Sequence, residues 1–367
     1  MRLRIDAKYI PVLASAAVLV VLYAGGCVAF GRRGFTELRV ITNLFRDEDA
    51  VLGIAAIGAT FVILSGGIDL SVGSVVGFTS ILIATLTFDP ALDPRVVGHV
   101  SEALPHGLHP LVAIAVALAL GAVFGAVMGC LIHFFKLPPF LVTLGGLFFA
   151  RGMAFLIKSE SLGIKHPFYR RTVQEDLRIA LTQQVDLPFT VFCFLALFAA
   201  GLYVAHLRRF GRNVYAIGGD EGSARLMGLP VRRTKILVYT FAGFCSASAG
   251  VVYTFAVSKG DPLNAGMGLE LDAIASTVIG GTLLSGGVGF LAGTLMGVLI
   301  FGLIQTLINF QGSLSAWWTR IAVGALVLLF LLLQNFVSAA SRRTARRRAA
   351  APPGGGGRLR PPRGPAR

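Results

Sequence analysis

Long apolar stretches alternate with short polar connections along most of the chain. We interpret ten of these stretches as membrane-crossing helices, because a helix satisfies its own backbone hydrogen bonds where lipid cannot. We therefore expect an all-α, polytopic membrane domain over residues 10–336. The predicted spans lie near residues 10–30, 50–65, 72–88, 111–134, 140–157, 187–207, 236–257, 271–285, 290–310 and 316–336.

The composition supports a membrane protein. Hydrophobic residues make up 55% of the 367 residues and charged residues only 14%, whereas soluble domains carry about 25% charged residues. So little charge cannot cover a water-facing surface of this size. The four cysteines lie in or beside apolar stretches without metal-ligand spacing, and we interpret them as packing residues.

The positive charges indicate the orientation of the chain. Loops on one side of the predicted membrane hold 20 of the 33 Lys and Arg residues and loops on the other side hold 11. This bias predicts that both termini are cytoplasmic, with residues 1–9 as a short amino terminus. Residues 337–367 contain nine arginines and no acid. We predict a disordered basic tail there that lies against anionic lipid rather than one that binds nucleic acid.

Two segments 220 residues apart share a sequence. Leu64–Ile68 reads LSGGI and Leu284–Val288 reads LSGGV. Glycine-interrupted repeats mark many transporter folds, and chance similarity among small membrane residues is the alternative. The predicted span count places both copies in the same orientation. Matched glycines follow the two copies, namely Gly73 and Gly77 after the first and Gly293 and Gly297 after the second.

The first copy continues into a polar break in the apolar pattern. Glycine lets the chain turn sharply there, and Asp69 or Ser71 is suited to capping the following helix. The break either lines a translocation path for a polar solute or caps a helix at the membrane edge, and both interpretations stay open. The candidate path residues in the two copies are Ser65, Gly66, Gly67, Asp69, Ser71, Gly73, Ser285, Gly286 and Gly287.

Arg151 is the clearest charge within an apolar stretch, and we also count it as a candidate path residue. A guanidinium in a membrane is costly unless it is paired. The acids nearest to apolar spans are Asp69, Glu270 and Asp272. A structural ion pair with one of them is preferred here over direct contact with a solute.

The longest predicted cytoplasmic loop, 208–235, contains a short helical pattern from Glu221 to Met227, followed by stop signals. Its apolar side between charged flanks favours docking to a cytoplasmic partner, and a helix lying on the membrane surface is the alternative. The residues predicted for this docking site are Glu221, Ala224, Arg225, Met227, Gly228 and Leu229.

Signals for catalysis are absent from the sequence. No Gly-Lys pair occurs, so the chain has no P-loop for ATP. No serine or cysteine lies in a recognisable nucleophile–base motif in the sequence. We expect neither enzymatic activity nor a bound cofactor or metal in this chain.

Several long motifs resemble the permease subunits of ABC importers for ribose and related sugars, and the resemblance covers roughly residues 45–335. These motifs are Ile63–Gly73, Tyr215–Gly219, Gly268–Ala275 and Val278–Gly289. Other stretches are most similar to a permease of the galactofuranose importer, namely Leu283–Gly289, Gly302–Phe310, Trp317–Arg320 and His166–Pro167.

The resemblance implies a complex in a bacterial inner membrane, with two permeases, an ATPase subunit and a periplasmic sugar-binding protein. It implies that the segment Glu221–Gly228 is a coupling helix that enters a cleft on the ATPase. In the galactofuranose type the second permease is a different chain, which favours a heterodimer over a homodimer. We expect import of a monosaccharide of the galactofuranose, ribose or xylose type. A self-contained secondary sugar transporter is the alternative.

Overall fold

A computed structural model describes residues 10–45, 47–88, 107–169, 179–182, 185–315 and 317–350. The predicted amino-terminal segment 1–9 and residues 351–367 of the predicted tail lie outside these ranges, whereas residues 337–350, predicted to be disordered, are helical. The helices are α1 (Ile10–Phe30), α2 (Leu38–Asn43), α3 (Asp47–Leu64), α4 (Val72–Leu86), α5 (Pro110–Phe134), α6 (Pro139–Ile157), α7 (Phe189–Leu202), α8 (Arg209–Gly219), α9 (Glu221–Leu226), α10 (Val231–Val257), α11 (Leu269–Ile279), α12 (Leu291–Gln311) and α13 (Trp317–Ala350).

Strands are short and lie in loops. β1 (Leu162–Gly163) pairs antiparallel with β4 (Lys259–Gly260), and β2 (Ile179–Thr182) pairs antiparallel with β3 (Val185–Leu187). The chain is thus a polytopic helical membrane protein, as the sequence predicted.

Each of the ten predicted spans coincides with a helix, but the helices differ in length. Seven are long and apolar enough to cross a membrane, namely Ile10–Arg33, Pro110–Phe134, Pro139–Ile157, Phe189–Leu207, Val231–Val257, Leu291–Gln311 and Trp317–Phe336. The other three, α3, α4 and α11, have 18, 15 and 11 residues, and α3 begins with three acids. Ten complete crossings therefore remain a prediction.

Helix α3 lies at the centre of the bundle, because it is apolar all round after its acidic first turn. Its residues Ala50–Leu64 are buried, which is typical of a helix surrounded by other helices. Helices α7, α10, α11 and α12 pack around it. A network of three hydroxyls joins α3 to two of these neighbours, since Thr60 Oγ1 lies 2.8 Å from Thr294 Oγ1 and 3.4 Å from Thr277 Oγ1.

Helices α5 and α10 approach closely through glycines spaced one turn apart. A Cβ at Gly125 would lie 2.1 Å from the Tyr239 carbonyl oxygen, and a Cβ at Gly243 would lie 2.2 Å from the Gly121 carbonyl oxygen. Small residues at four-residue spacing allow such contact between membrane helices. This packing holds α10 rigidly, which matters because α10 continues from the predicted docking loop.

The segment between α10 and α11 returns into the bundle instead of remaining on its surface. The Asp261 backbone lies against Ser80 in α4, with its N–H donating a 3.2 Å hydrogen bond to Ser80 Oγ. Further along, a Cβ at Gly73 would lie 2.1 Å from the Gly266 carbonyl oxygen. Residues 258–268, which we call the inserted loop, thus follow α4 for two turns. Helix α11 begins where this loop ends, which explains its short length.

The predicted span 271–285 ends earlier in the structure. Helix α11 stops at Ile279, and residues 280–290 form a loop that leads to α12. Gly281, Gly286 and Gly287 have φ values of +91°, +85° and +73°, a left-handed backbone that ends a helix and that glycine adopts readily.

Candidate functional site

The two copies of the repeated sequence meet in space. The Gly287 N–H donates a 2.9 Å hydrogen bond to the Leu64 carbonyl oxygen. A Cβ at Gly286 would lie 2.8 Å from the Gly66 backbone nitrogen. Both loops therefore lie at the same end of the bundle, as expected for two copies in the same orientation.

The end of α8 forms the third side of this contact. A Cβ at Gly218 would lie 1.7 Å from the Leu64 carbonyl oxygen and 2.7 Å from the Gly287 nitrogen. A hydrogen bond also joins α8 to the loop before α12, since the Tyr215 hydroxyl donates to the Gly289 carbonyl oxygen at 3.0 Å. We call the backbone contact among Leu64–Gly67, Gly218–Gly219 and Ser285–Gly287 the glycine junction.

Asp69 and Ser71 form a turn immediately before α4. Asp69 is buried, and one of its carboxylate oxygens accepts hydrogen bonds from the Ser71 N–H at 2.8 Å and the Ser71 hydroxyl at 2.6 Å. Ser65 is also buried and donates to the Val62 carbonyl oxygen at 2.8 Å. No side chain caps the first turn of α4, however, so these contacts stabilise the turn and both interpretations of the polar break remain open.

Arg151 lies against the inserted loop. Its Nη1 donates hydrogen bonds to the carbonyl oxygens of Pro262 at 2.7 Å, Ala265 at 3.2 Å and Leu263 at 3.4 Å. It also interacts electrostatically with Glu270. The partners that hold the guanidinium are thus backbone carbonyls, a solution that the sequence did not indicate. Arg151 positions the inserted loop beside α4.

Helix α9 has about one and a half turns, is capped at its amino terminus, and lies at the same end of the bundle as the glycine junction. The Asp220 carboxylate accepts a 2.5 Å hydrogen bond from the Ser223 N–H. Glu221 pairs with Lys235 of α10 at 2.5 Å and with Arg225 at 3.2 Å. Cap and ion pairs hold α9 against the start of α10.

These contacts lower the pKa values of the two acidic residues at the start of α9, Asp220 and Glu221. The Asp220 pKa is lowered mainly by the hydrogen bond from the Ser223 backbone. Burial alone would raise the Glu221 pKa, but the hydrogen bond and charge of Lys235, together with Arg225, lower it overall. Both carboxylates are therefore ionised at neutral pH and hold their partners.

The predicted docking residues divide into two groups. Ala224 is fully buried in an apolar cluster with Ile217, Val231 and Leu229, so these side chains fix α9 to its neighbours. Met227 is 69% exposed and Leu226 is 91% exposed. Leu226 belongs to the apolar side predicted for this helix, although it was not among the predicted docking residues.

Gly228 ends α9 in a left-handed conformation. Its φ is +77°, and an added Cβ would have no atom within 4 Å. The Gly228 N–H donates to the Arg225 carbonyl oxygen and the Leu229 N–H to the Ala224 carbonyl oxygen. The chain can thus reverse direction here with its last carbonyls satisfied.

Only one residue, Asp220, separates the glycine junction from α9. Helix α9 is thus connected through Gly218 and Gly219 to the loop that follows α3 and the loop that precedes α12. The backbone contact among these segments is tight, so none of them can move without displacing the others.

A polar cavity of about 630 Å³ opens at the opposite end of the bundle, where α3 begins and α12 ends. Its lining includes Glu48, Lys259, Asp272, Gln305, Asn309 and Arg320. None of the candidate path residues lines this cavity. Gln305 and Asn309 were recognisable in the sequence as polar residues four apart in an apolar helix, but they entered the sequence analysis only through the family resemblance.

The long apolar helices, with the short helix α9 exposed at one end, define a polytopic helical membrane protein. Residues 49–331 match the family described as branched-chain amino acid transport system, permease component. The chain therefore belongs to this family of permeases.

Individual relatives agree with the family match. The inner membrane ABC transporter permease YjfF of Escherichia coli K12 is 46% identical over 89% of this chain and 92% of its own length. The fructose import permease FruG of Bifidobacterium longum is 35% identical over 91% of this chain and 93% of its own length. The ribose import permease RbsC of Escherichia coli K12 is 36% identical over 80% and 86%. No solved structure matches the chain significantly.

Proposed function

We propose that this chain is the membrane subunit of an ATP-driven importer that moves a monosaccharide across a bacterial inner membrane. The link from α9 through Asp220 to the glycine junction supports the proposal, because it connects an exposed docking helix to both repeat loops of the bundle. The sugar permeases among the relatives support the substrate class. The branched-chain amino acid in the family description makes an amino acid the natural control substrate.

In this proposal α9 docks into a separate ATPase subunit. Leu226 and Met227 provide an exposed apolar contact, and the acidic and basic residues around them provide specificity. The energy source is supplied in trans, since the sequence has no P-loop. The chain itself performs no chemistry on the sugar.

A second permease completes the complex in this proposal. Helix α6 exposes Phe148, Phe149 and Leu156 by 67%, 61% and 81%. Such a face suits either lipid or a neighbouring helix bundle, and a different permease chain is favoured by the resemblance to the galactofuranose type. A periplasmic binding protein delivers the sugar, and galactofuranose is the first sugar to test, followed by ribose and xylose.

The orientation follows from the positive charges. If the loop that contains α9 is cytoplasmic, the ATPase has access to Leu226 and the polar cavity faces the periplasm. A cysteine introduced at Gly222, which is exposed in α9, would then react with a membrane-impermeant thiol reagent only from the cytoplasmic side.

The test is reconstitution. The chain is placed in proteoliposomes with its proposed ATPase, second permease and binding protein, and uptake of radiolabelled sugars is measured with L-leucine as control. We expect sugar uptake that requires ATP, the ATPase and the binding protein. Uptake by this chain alone, driven by an ion gradient, would instead establish the secondary transporter.

A further inference from the structure

The polar cavity opposite α9 has the size of a small-ligand site. Its volume of about 630 Å³ lies within the range of about 300–1,000 Å³ that such sites occupy. Walls from α3, α10, α11, α12 and α13 surround it, together with the inserted loop. Because these helices come from both ends of the sequence, a ligand in this cavity would contact α3 as well as the carboxyl-terminal helices α10 to α13.

The cations of the cavity are already neutralised by acids. Arg320 forms an ion pair with Asp272, and Lys259 Nζ lies 3.3 Å from Asp261 Oδ2. Glu48 and Asp49 add two further carboxylates to the lining, which is therefore acidic overall. An anionic ligand would find no unpaired countercharge there, and a zwitterionic amino acid would find none for its carboxylate. A neutral ligand that donates hydrogen bonds to carboxylates is compatible with this lining.

The remaining polar groups suit a ligand with many hydroxyls. Gln305 and Asn309 lie one turn apart on α12, and each amide both donates and accepts hydrogen bonds. Gln305 Nε2 lies 3.5 Å from Glu48 Oε2, at the limit of a hydrogen bond, which leaves it available for a stronger partner. Tyr253 and Phe301 add aromatic surface on which the apolar face of a sugar ring can lie.

We propose that this cavity binds the transported monosaccharide as it enters the permease, with Gln305 and Asn309 as its principal hydrogen-bonding residues. The proposal rests on the proposed function, since it assumes that the solute is a sugar. It assigns substrate contact to the carboxyl-terminal turns of α12 and to α13. The glycine junction, at the other end of α12, is assigned to coupling instead.

Two tryptophans provide a direct readout of binding. Trp317 and Trp318 are the chain's only tryptophans, and they immediately precede the lining residues Thr319 and Arg320. The purified full chain in lipid nanodiscs is titrated with D-galactose, D-ribose, D-xylose and D-fructose while tryptophan fluorescence is recorded. We expect a saturable change with at least one sugar and none with L-leucine. Absence of a saturable change with every sugar would overturn the proposal.

Matched variants locate the binding. Asn309→Ala and Gln305→Ala remove one amide each, and the loss of a neutral hydrogen bond should raise the midpoint of the titration by about threefold to tenfold. Thr306→Ala lies on the same helix but outside the cavity lining, where its hydroxyl donates to the Gly302 carbonyl oxygen at 2.8 Å, so its midpoint should equal that of the native chain. Equal midpoints for all three variants would contradict the assignment.

Reconstituted uptake separates this proposal from the proposed function. If the native complex imports sugar and the Asn309→Ala and Gln305→Ala complexes import it at the same rate, the cavity assignment fails and the function stands. If the native complex imports no sugar, the function fails. We expect ATP-driven uptake by the native complex and slower uptake by both variants.

Discussion

The Gly287 N–H is hydrogen-bonded to the Leu64 carbonyl oxygen at 2.9 Å, across 223 positions of the sequence. This bond joins two loops with nearly the same sequence, one at the end of α3 and the other before α12. Because Gly218 packs against both partners, three segments share one contact next to α9. In the proposed function, this contact connects the docking helix to both repeat loops.

Adjacent glycines in α8 should respond very differently to alanine. Gly218→Ala would place a Cβ 1.7 Å from the Leu64 carbonyl oxygen, whereas a Cβ at Gly219 has no atom within 4 Å. We expect Gly218→Ala to lower the free energy of unfolding by about 1–3 kcal/mol, as overpacking does, and Gly219→Ala to have little effect. Thermal unfolding of the two variants in detergent tests this, and equal melting temperatures would contradict the glycine junction.

Gly228 should be required for coupling through its backbone conformation. Gly228→Leu has room for the side chain, but the left-handed φ of +77° costs a non-glycine residue about 1–2 kcal/mol. The end of α9 should therefore reorganise, and stimulation of the ATPase by loaded binding protein should fall while membrane insertion is retained. Gly222→Leu is the control, because Gly222 is exposed in α9 without a left-handed φ. Full stimulation in Gly228→Leu would count against the docking role.

Leu226 and Met227 should provide the apolar part of the docking contact. The double variant Leu226→Ser, Met227→Ser should weaken association with the ATPase by about tenfold or more, since exposed apolar residues at an interface centre contribute about 1–2 kcal/mol each. Copurification of the ATPase with the tagged permease measures this. Leu156→Ser is the control, because Leu156 is 81% exposed at the opposite end of the bundle. If both variants retain the ATPase equally, α9 lies on the membrane surface instead.

Acid should release α9 by protonating Glu221. Its folded-state pKa is lowered below the usual 4.5, so its ion pairs are fully present above that pH and are lost as the pH falls through the lower folded value. Hydrogen exchange of the 220–228 backbone should therefore be constant near neutral pH and increase in acid, after correction for the intrinsic rate. In Glu221→Gln the protection should be low at neutral pH as well. Protection in this variant equal to that of the native chain would show that the ion pairs do not hold α9.

Arg151 should stabilise the inserted loop through its charge and hydrogen bonds. Arg151→Met leaves the carbonyl oxygens of Pro262, Leu263 and Ala265 without this donor, a loss of about 1–3 kcal/mol. Arg151→Lys retains a charged nitrogen and should lose less. Limited proteolysis measures how readily residues 258–268 are cleaved in each variant, and thermal unfolding measures the stability of the whole chain. We expect cleavage to be faster in Arg151→Met than in Arg151→Lys. Equal resistance in Met and Lys variants would show that the loop is held by its packing on Gly73 alone.

The sequence predicted most helices well because each is a local pattern. An apolar stretch of about 20 residues forms a helix in lipid wherever it occurs, and glycine with proline ends α9 at the predicted place. The sequence also indicated the family, because the long motifs around Gly66 and Glu270 are similar to those of its members. Helix α11 was the least accurate span, because its left-handed glycines were indistinguishable from the small residues of a membrane helix.

The sequence by itself thus determined that the chain is a membrane bundle with two glycine breaks and a short charged helix in its longest predicted cytoplasmic loop. Only the tertiary structure decided that the breaks touch each other, that Arg151 binds carbonyls, and that Leu226 faces outward while Ala224 faces inward. Helix formation depends on neighbours in the chain. These contacts depend on how helices far apart in sequence pack, which no local pattern encodes.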